Sequence, residues 1–205
     1  DGIIVWIDDE PKSEKGLKHI CNEWIQRTKM GLGFDVLNKI IQKDVNNYIF
    51  IFEDGKLERK GTYVKELSDI DFDLPIVNEA LVNFISKGTP VEDTVNNCEE
   101  FIKFQMVFKV SKSYAYATHN GTRYSEKTFR VFASRDINDG YLGKCKTEGG
   151  TSEKFGNSPE HCFIWNKSVN GVPIPLKLDK KWYVNLAKKR LEDYGYEFKK
   201  KEQLF

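Results

Sequence analysis

What this chain can fold into is constrained most by the dipeptide Asp54-Gly55 and the two runs beside it. Tyr48 to Glu53 and Leu57 to Val64 are rich in aromatic and branched residues, and an Asp-Gly pair accepts the positive backbone angles of a tight turn. The two runs are therefore predicted to form an antiparallel hairpin. Alternate residues of such a ribbon share a face, so Lys56 and Lys60 are expected to point the same way, with Arg59 and Lys65 adding to a basic bias at its exit. Charges of this kind also serve to solvate a sheet edge and discourage aggregation.

On either side of the hairpin the apolar pattern changes period. Ile3 to Ile7 is a continuous apolar run ended by Asp8-Asp9-Glu10-Pro11, the pattern of a buried strand. Leu17, Ile20, Cys21, Trp24 and Thr28 recur at steps of three and four, which predicts an amphipathic helix stopped by Gly31-Leu32-Gly33. Phe34 to Lys43 is compatible with a further strand. After Ser68, Ile76, Val77, Ala80, Leu81, Phe84 and Ile85 make a helical stripe ending at Gly88. A second stripe at Val91, Val95, Cys98 and Ile102 follows Thr89-Pro90, where Thr can cap and Pro can occupy the first turn. Helices joined by so short a turn are predicted to pack as an antiparallel pair.

Phe108 to Lys146 is strand-like, with His119-Asn120-Gly121 as a turn, and Cys162 to Trp165 is another short apolar run. Leu178-Asp179 starts a last helix with Tyr183, Leu186, Ala187, Arg190 and Tyr194 on one side. The whole reads as α+β, in segments 1–68, 69–110 and 111–205, with the main boundary near Ser68.

Composition narrows the function classes. In 205 residues with 40% hydrophobic content a real core is expected. Lys and Arg number 32 against 31 Asp and Glu, so a net charge of +1 gives no global attraction to nucleic acid and any phosphate contact must be local. The four cysteines, Cys21, Cys98, Cys145 and Cys162, form no CxxC pair, which fits reduced thiols in a cytoplasm. No run approaches the ~18 apolar residues of a membrane span. An opening Asp1 at the head of a strand is expected to continue a longer polypeptide.

Asp1-Gly2-Ile3 heading an apolar strand, a helix, a strand, Asn46-Asn47-Tyr48, the hairpin Glu53 to Gly61, and then Gly88-Thr89-Pro90-Val91-Glu92 follow one another in chain order. That order resembles the C-terminal palm and the start of the thumb in family-B DNA polymerases of bacteriophage type. The resemblance implies a truncated palm with an antiparallel sheet and hairpin, then a helical-pair thumb, then a mixed α/β region. It implies DNA-directed nucleotidyl transfer in DNA replication, run on two Mg2+ ions held by carboxylates, with primer-template DNA and, in the intact enzyme, dNTP as partners.

Asp1-Gly2-Ile3 matches the tail of the family's Thr-Asp-Gly-Ile motif, making Asp1 the implied catalytic metal ligand. Asn46, Asn47 and Tyr48 fall where the family has a Lys-Lys-Arg-Tyr type element near the growing primer end. Two amides thus replace basic residues, and amides can hydrogen-bond phosphate or base but release no counterions. Asn-Asn can equally start a strand by bonding backbone. A second palm carboxylate, the fingers lysines and any exonuclease are implied to lie in a missing N-terminal part, so the chain alone is expected to be inactive.

The tail from Lys177 through Lys180, Lys181, Lys188, Lys189, Arg190 and Lys199 to Lys201 interleaves cations with Trp182, Tyr183, Tyr194 and Tyr196. Basic and aromatic residues together suit nucleic acid, so Lys188, Lys189 and Arg190 join Lys56, Lys60 and Lys65 as candidate DNA contacts. Arg130 to Ser134 and Leu178 to Leu191 are similar to C-terminal strings of gut-phage-type polymerases, without roles to carry over. Two other readings remain. One is a non-catalytic DNA-binding or assembly module. The other is a phosphoacceptor receiver domain with Asp8, Asp9 and Asp54, which would need a doubly wound sheet that the pattern after residue 70 does not supply. His119, His161 and Cys162 lack ligand spacing and are expected to be structural.

Overall fold

A computed structural model describes residues 3–7, 11–65 and 73–198. The chain divides into two compact units, Asp1–Leu37 and Asn38–Phe205. In the first, the predicted amphipathic helix is α1 (Pro11–Thr28), with Pro at its start and its stripe residues Leu17, Cys21 and Trp24 only partly buried. The expected buried strand at Ile3 to Ile7 does not form. These residues are irregular and exposed, Ile3 at 91% and Trp6 at 86%. An apolar run becomes a strand only where a neighbouring strand takes up its backbone groups, which local composition does not specify.

The hairpin forms, but its second strand ends at Lys60 rather than Val64, because Gly61 begins a turn. Strands β1 (Leu37–Asp44), β2 (Asn47–Phe52) and β3 (Leu57–Lys60) make a three-stranded sheet in that order. β2 and β3 are antiparallel in the register Tyr48↔Lys60 to Ile51↔Leu57. Gly55 takes φ 81° at the tip, and the Asp54 carboxylate accepts the Lys56 N–H at 2.9 Å. Asp54 is therefore a turn residue, and every strand pair with a resolved register is antiparallel. Among the described residues no doubly wound receiver sheet forms.

After the ribbon, α2 (Pro75–Lys87) ends where predicted, on Gly88 at φ 71°, whose N–H donates to Phe84 O at 3.0 Å. The second helix is shorter than its stripe. α3 (Val91–Asn96) stops at Asn97, and Phe101–Phe104 forms a separate 3-10 turn. Asn96, Asn97, Glu99 and Glu100 explain the stop, since the end of a helix disfavours negative charge and Asn favours turns. Pro90, not Thr89, occupies the capping position, with no side-chain cap bond.

Then β4 (Met106–Lys109), β5 (Tyr116–His119), β6 (Thr122–Tyr124), β7 (Thr128–Ala133), β8 (Gly143–Cys145), β9 (Glu153–Lys154) and β10 (Cys162–Ile164) build two sheets, β10-β7-β4 and β6-β5-β8-β9. Asn120 and Gly121, at φ 48° and 73°, turn β5 into β6. The last helix, α4 (Lys180–Glu192), is capped by the Asp179 carboxylate accepting the Trp182 N–H at 3.2 Å. It packs on α2 and α3, so the helical layer has three members rather than the expected pair.

One hydrophobic cluster runs from Ile49 and Val64 of the ribbon region through Ile76 and Leu81 of α2 to Phe132 of β7 and Leu191 of α4. Phe101, Phe132 and Phe163 stack in its interior. The fully buried Tyr183 hydroxyl donates to Phe104 O at 2.6 Å and accepts the Ala133 N–H at 3.0 Å, which ties α4 to two other elements. A polar knot closes the loop after β7. Asp139, 9% exposed, accepts from Ser134 Oγ at 2.5 Å and Lys177 Nζ at 3.0 Å, while its backbone carbonyl meets His161 Nδ1 at 2.7 Å. Desolvation pushes the Asp139 carboxyl upward, and the Ser134 and Lys177 bonds outweigh it, so its pKa lies below the ordinary value. All four cysteines are free thiols. No described helix is long and apolar enough to cross a membrane.

Candidate nucleic-acid interface

The ribbon has two unlike faces because side chains alternate along a strand. Ile49 is fully buried and Ile51 and Leu57 pack against the core. Tyr48, Phe50 and Phe52 take the other face, half-buried, with Lys56, Glu58 and Lys60 exposed on the same side. The Tyr48 and Phe50 rings stack at 4.2 Å with 19° between planes. Lys60 Nζ lies 6.0 Å from the Tyr48 ring and Lys56 Nζ 5.6 Å from the Phe52 ring. Tyr48 donates its hydroxyl to Glu58 at 3.2 Å, and desolvation together with that carboxylate raises its pKa. Among the described residues Lys56 and Lys60 form no ion pair.

Asn46 and Asn47 sit where β1 turns into β2. The Asp44 carboxylate accepts the Asn46 N–H at 2.8 Å and the Asn47 Nδ2 at 2.9 Å and 3.0 Å. The Asn47 bond first, then the Asn46 N–H, holds its pKa below the usual value. Gly61, at φ 110°, lies so close that a Cβ there would fall 2.2 Å from Asn47 Oδ1 and 2.7 Å from Asn46 O. The amide pair is thus braced from both sides, next to Tyr48 in the chain. Lys65 follows Gly61 in a turn, its N–H donating to Gly61 O at 3.0 Å.

The basic residues of α4 have a different geometry. Arg190 is drawn inward, donating to Asn78 Oδ1 at 3.1 Å with its guanidinium 4.4 Å from the Tyr63 ring, and burial lowers its pKa. Asn78 in turn donates to Thr62 O at 3.1 Å. Lys43 covers Tyr63 at 4.7 Å and meets Asp193 at 3.5 Å. This node fastens the ribbon exit to α2 and α4. Lys188 pairs with Glu92 of α3, and Lys189 is exposed. Of the three α4 candidates, only Lys189 has the open setting expected of a phosphate contact.

Sequence reasoning passed over Phe50 and Phe52. Their signal was present as the alternation Tyr48-x-Phe50-x-Phe52 directly before the Asp-Gly turn. His119 and His161 bond the backbone carbonyls of Cys162 and Asp139, each at 2.7 Å, as structural residues do. Asp1, the implied metal ligand, lies outside the described residues, as do Asp8 and Asp9. Among the described residues no three His, Cys, Asp or Glu side chains converge to hold a metal ion, so they do not by themselves make the magnesium site that the resemblance implies. Compared with known proteins, the chain matches no family model and no curated protein.

Proposed function

We propose that this chain is the C-terminal palm and thumb part of a DNA-directed DNA polymerase and that the ribbon contacts primer-template DNA. The observation that supports it best is the outer ribbon face, where Lys56 and Lys60 stand without ion-pair partners over aromatic rings while the opposite face is anchored in the core. Its place in the chain, between the Asn46-Asn47-Tyr48 element and the helices α2 and α3, supports the same reading. Magnesium, dNTP and the remaining catalytic groups belong to the intact enzyme, in which Asp1 would serve as one carboxylate ligand.

The test is fluorescence anisotropy of a labelled primer-template with the purified chain. Binding that weakens steeply with salt is expected. Absence of binding up to about 100 µM protein at about 50 mM salt would overturn the reading, since even non-specific DNA binders associate in that range. The same preparation is expected to show no primer extension with Mg2+ and dNTP, and measurable extension would show that the chain holds the whole catalytic apparatus.

A further inference from the structure

We propose that the outer face of the β2–β3 ribbon is a stacking platform for unpaired bases of single-stranded nucleic acid. The inference rests on the nucleic-acid reading above but needs neither a polymerase activity nor a duplex. Tyr48, Phe50 and Phe52 form one row of rings on a surface whose other side is fixed in the core, so the rings are held rather than floppy. Rigid aromatic side chains stack bases at little entropic cost, and any base offers a π face. The Tyr48 and Phe50 rings already stack at 4.2 Å with 19° between their planes, so a base would extend that stack at its end rather than enter between the rings.

Charge selects the occupant. Lys60 stands at the Tyr48 end of the row and Lys56 at the Phe52 end, both exposed, so each end of the platform offers a cation to a phosphate. Glu58, the acid between them, accepts a hydrogen bond from the Tyr48 hydroxyl and is turned toward that ring. Aromatic rings bracketed by lysines fit a chain that alternates bases with phosphates. An acidic peptide would use the lysines and leave the ring row idle. A duplex keeps its bases stacked inside and would do the same.

The test compares a labelled oligothymidylate of about twelve nucleotides, within the usual site size, with a blunt duplex of the same length and with an abasic single strand. The chain is expected to bind the thymidylate more tightly than the abasic strand by about 5-fold or more, the loss expected for one base stack. The double variant Phe50→Leu/Phe52→Leu keeps the apolar volume and removes the rings. It is expected to lose thymidylate affinity to a similar degree, with a smaller loss for the duplex and an unchanged salt dependence, its fold checked by circular dichroism. The variant Lys56→Gln/Lys60→Gln is expected to weaken both ligands and to reduce the single-strand salt slope by about 0.7 per lysine.

Equal affinity for thymidylate and abasic strand overturns the stacking platform using the unmodified protein, whatever the leucine variant does. If duplex binding persists in that case, the polymerase reading stands and the stacking inference alone falls. If heparin competes away thymidylate and duplex equally and the leucine variant changes nothing, the face is a polyanion site and the inference is likewise overturned. Binding of neither nucleic acid removes both.

Discussion

The ribbon and the C-terminal helix carry the same kinds of residue, lysine, arginine and large aromatics, and use them in opposite ways. On the ribbon, Lys56 and Lys60 face outward above Phe52 and Tyr48 and meet no carboxylate among the described residues. Around α4 four of the cations reach inward, while Lys181 and Lys189 stay exposed. Lys177 meets Asp139, Lys180 donates to Asn96 O and Cys98 O, Lys188 pairs with Glu92, and Arg190 donates to Asn78. A count of basic residues therefore says little about which of them can meet a phosphate. What decides it is whether an oxygen of the fold lies within reach, because a cation already bonded must give up that bond to bind anything else.

The contrast can be broken most severely at Tyr183. Its replacement by Phe leaves both the Ala133 N–H and Phe104 O buried without their partner, and the expected loss is about 2–4 kcal/mol of unfolding free energy, read as a lower urea midpoint. Nucleic-acid affinity of the fraction that remains folded should not change. Arg190→Gln should come next, with a loss of about 1–3 kcal/mol, because Asn78 Oδ1 loses its guanidinium donor and Tyr63 one of the two cations over its ring. If Arg190→Gln instead left stability intact and weakened DNA binding, the division between the two regions would be wrong.

Acid provides a third test, at Lys177 and Asp139. Because the folded carboxyl titrates below its ordinary value of 3.8, its stabilisation is fully present above that value and is lost as pH falls through the lower folded value. The thermal midpoint of the wild type should thus fall below about pH 4, and Asp139→Asn should flatten that part of the profile while lowering the plateau at neutral pH. A smaller effect is expected at Lys188→Gln, at most about 1 kcal/mol, since the pair with Glu92 is half-exposed. Lys60→Gln should shift stability by less than about 0.5 kcal/mol, yet alone of these changes should weaken nucleic-acid binding.

What could be read from the sequence was what is decided locally. Asp54-Gly55 fixes the hairpin tip, Gly88 ends α2, and Asp179 starts α4, each through backbone angles or a cap bond within a few residues. The stripe from Val91 to Ile102 misled because 3-10 and α turns place apolar residues at similar steps, while the break at Asn96-Asn97 lies between them. Ile3 to Ile7 misled because strand pairing is not a local property. The role of Arg190 was hidden for a similar reason, since its partner Asn78 lies 112 positions away. Of the candidate interface, Lys56 and Lys60 were visible by alternation, and Tyr48 as the aromatic position of the element that the resemblance implies. The inward bonding of Lys188 and Arg190 was not, because it depends on how α4 packs on α2 and α3.

Gly61 has a consequence for how this protein can change. Both it and Gly55 hold positive φ, but the tip at Gly55 has no neighbour within 4 Å of an added Cβ, whereas at Gly61 the space belongs to Asn46 and Asn47. A saturation library of the ribbon should therefore accept Asn or Asp at the tip and reject almost everything at Gly61. A lineage that altered the amide pair would gain tolerance there only if the turn of Asp44 were rebuilt with it, so these positions should drift together or stay still.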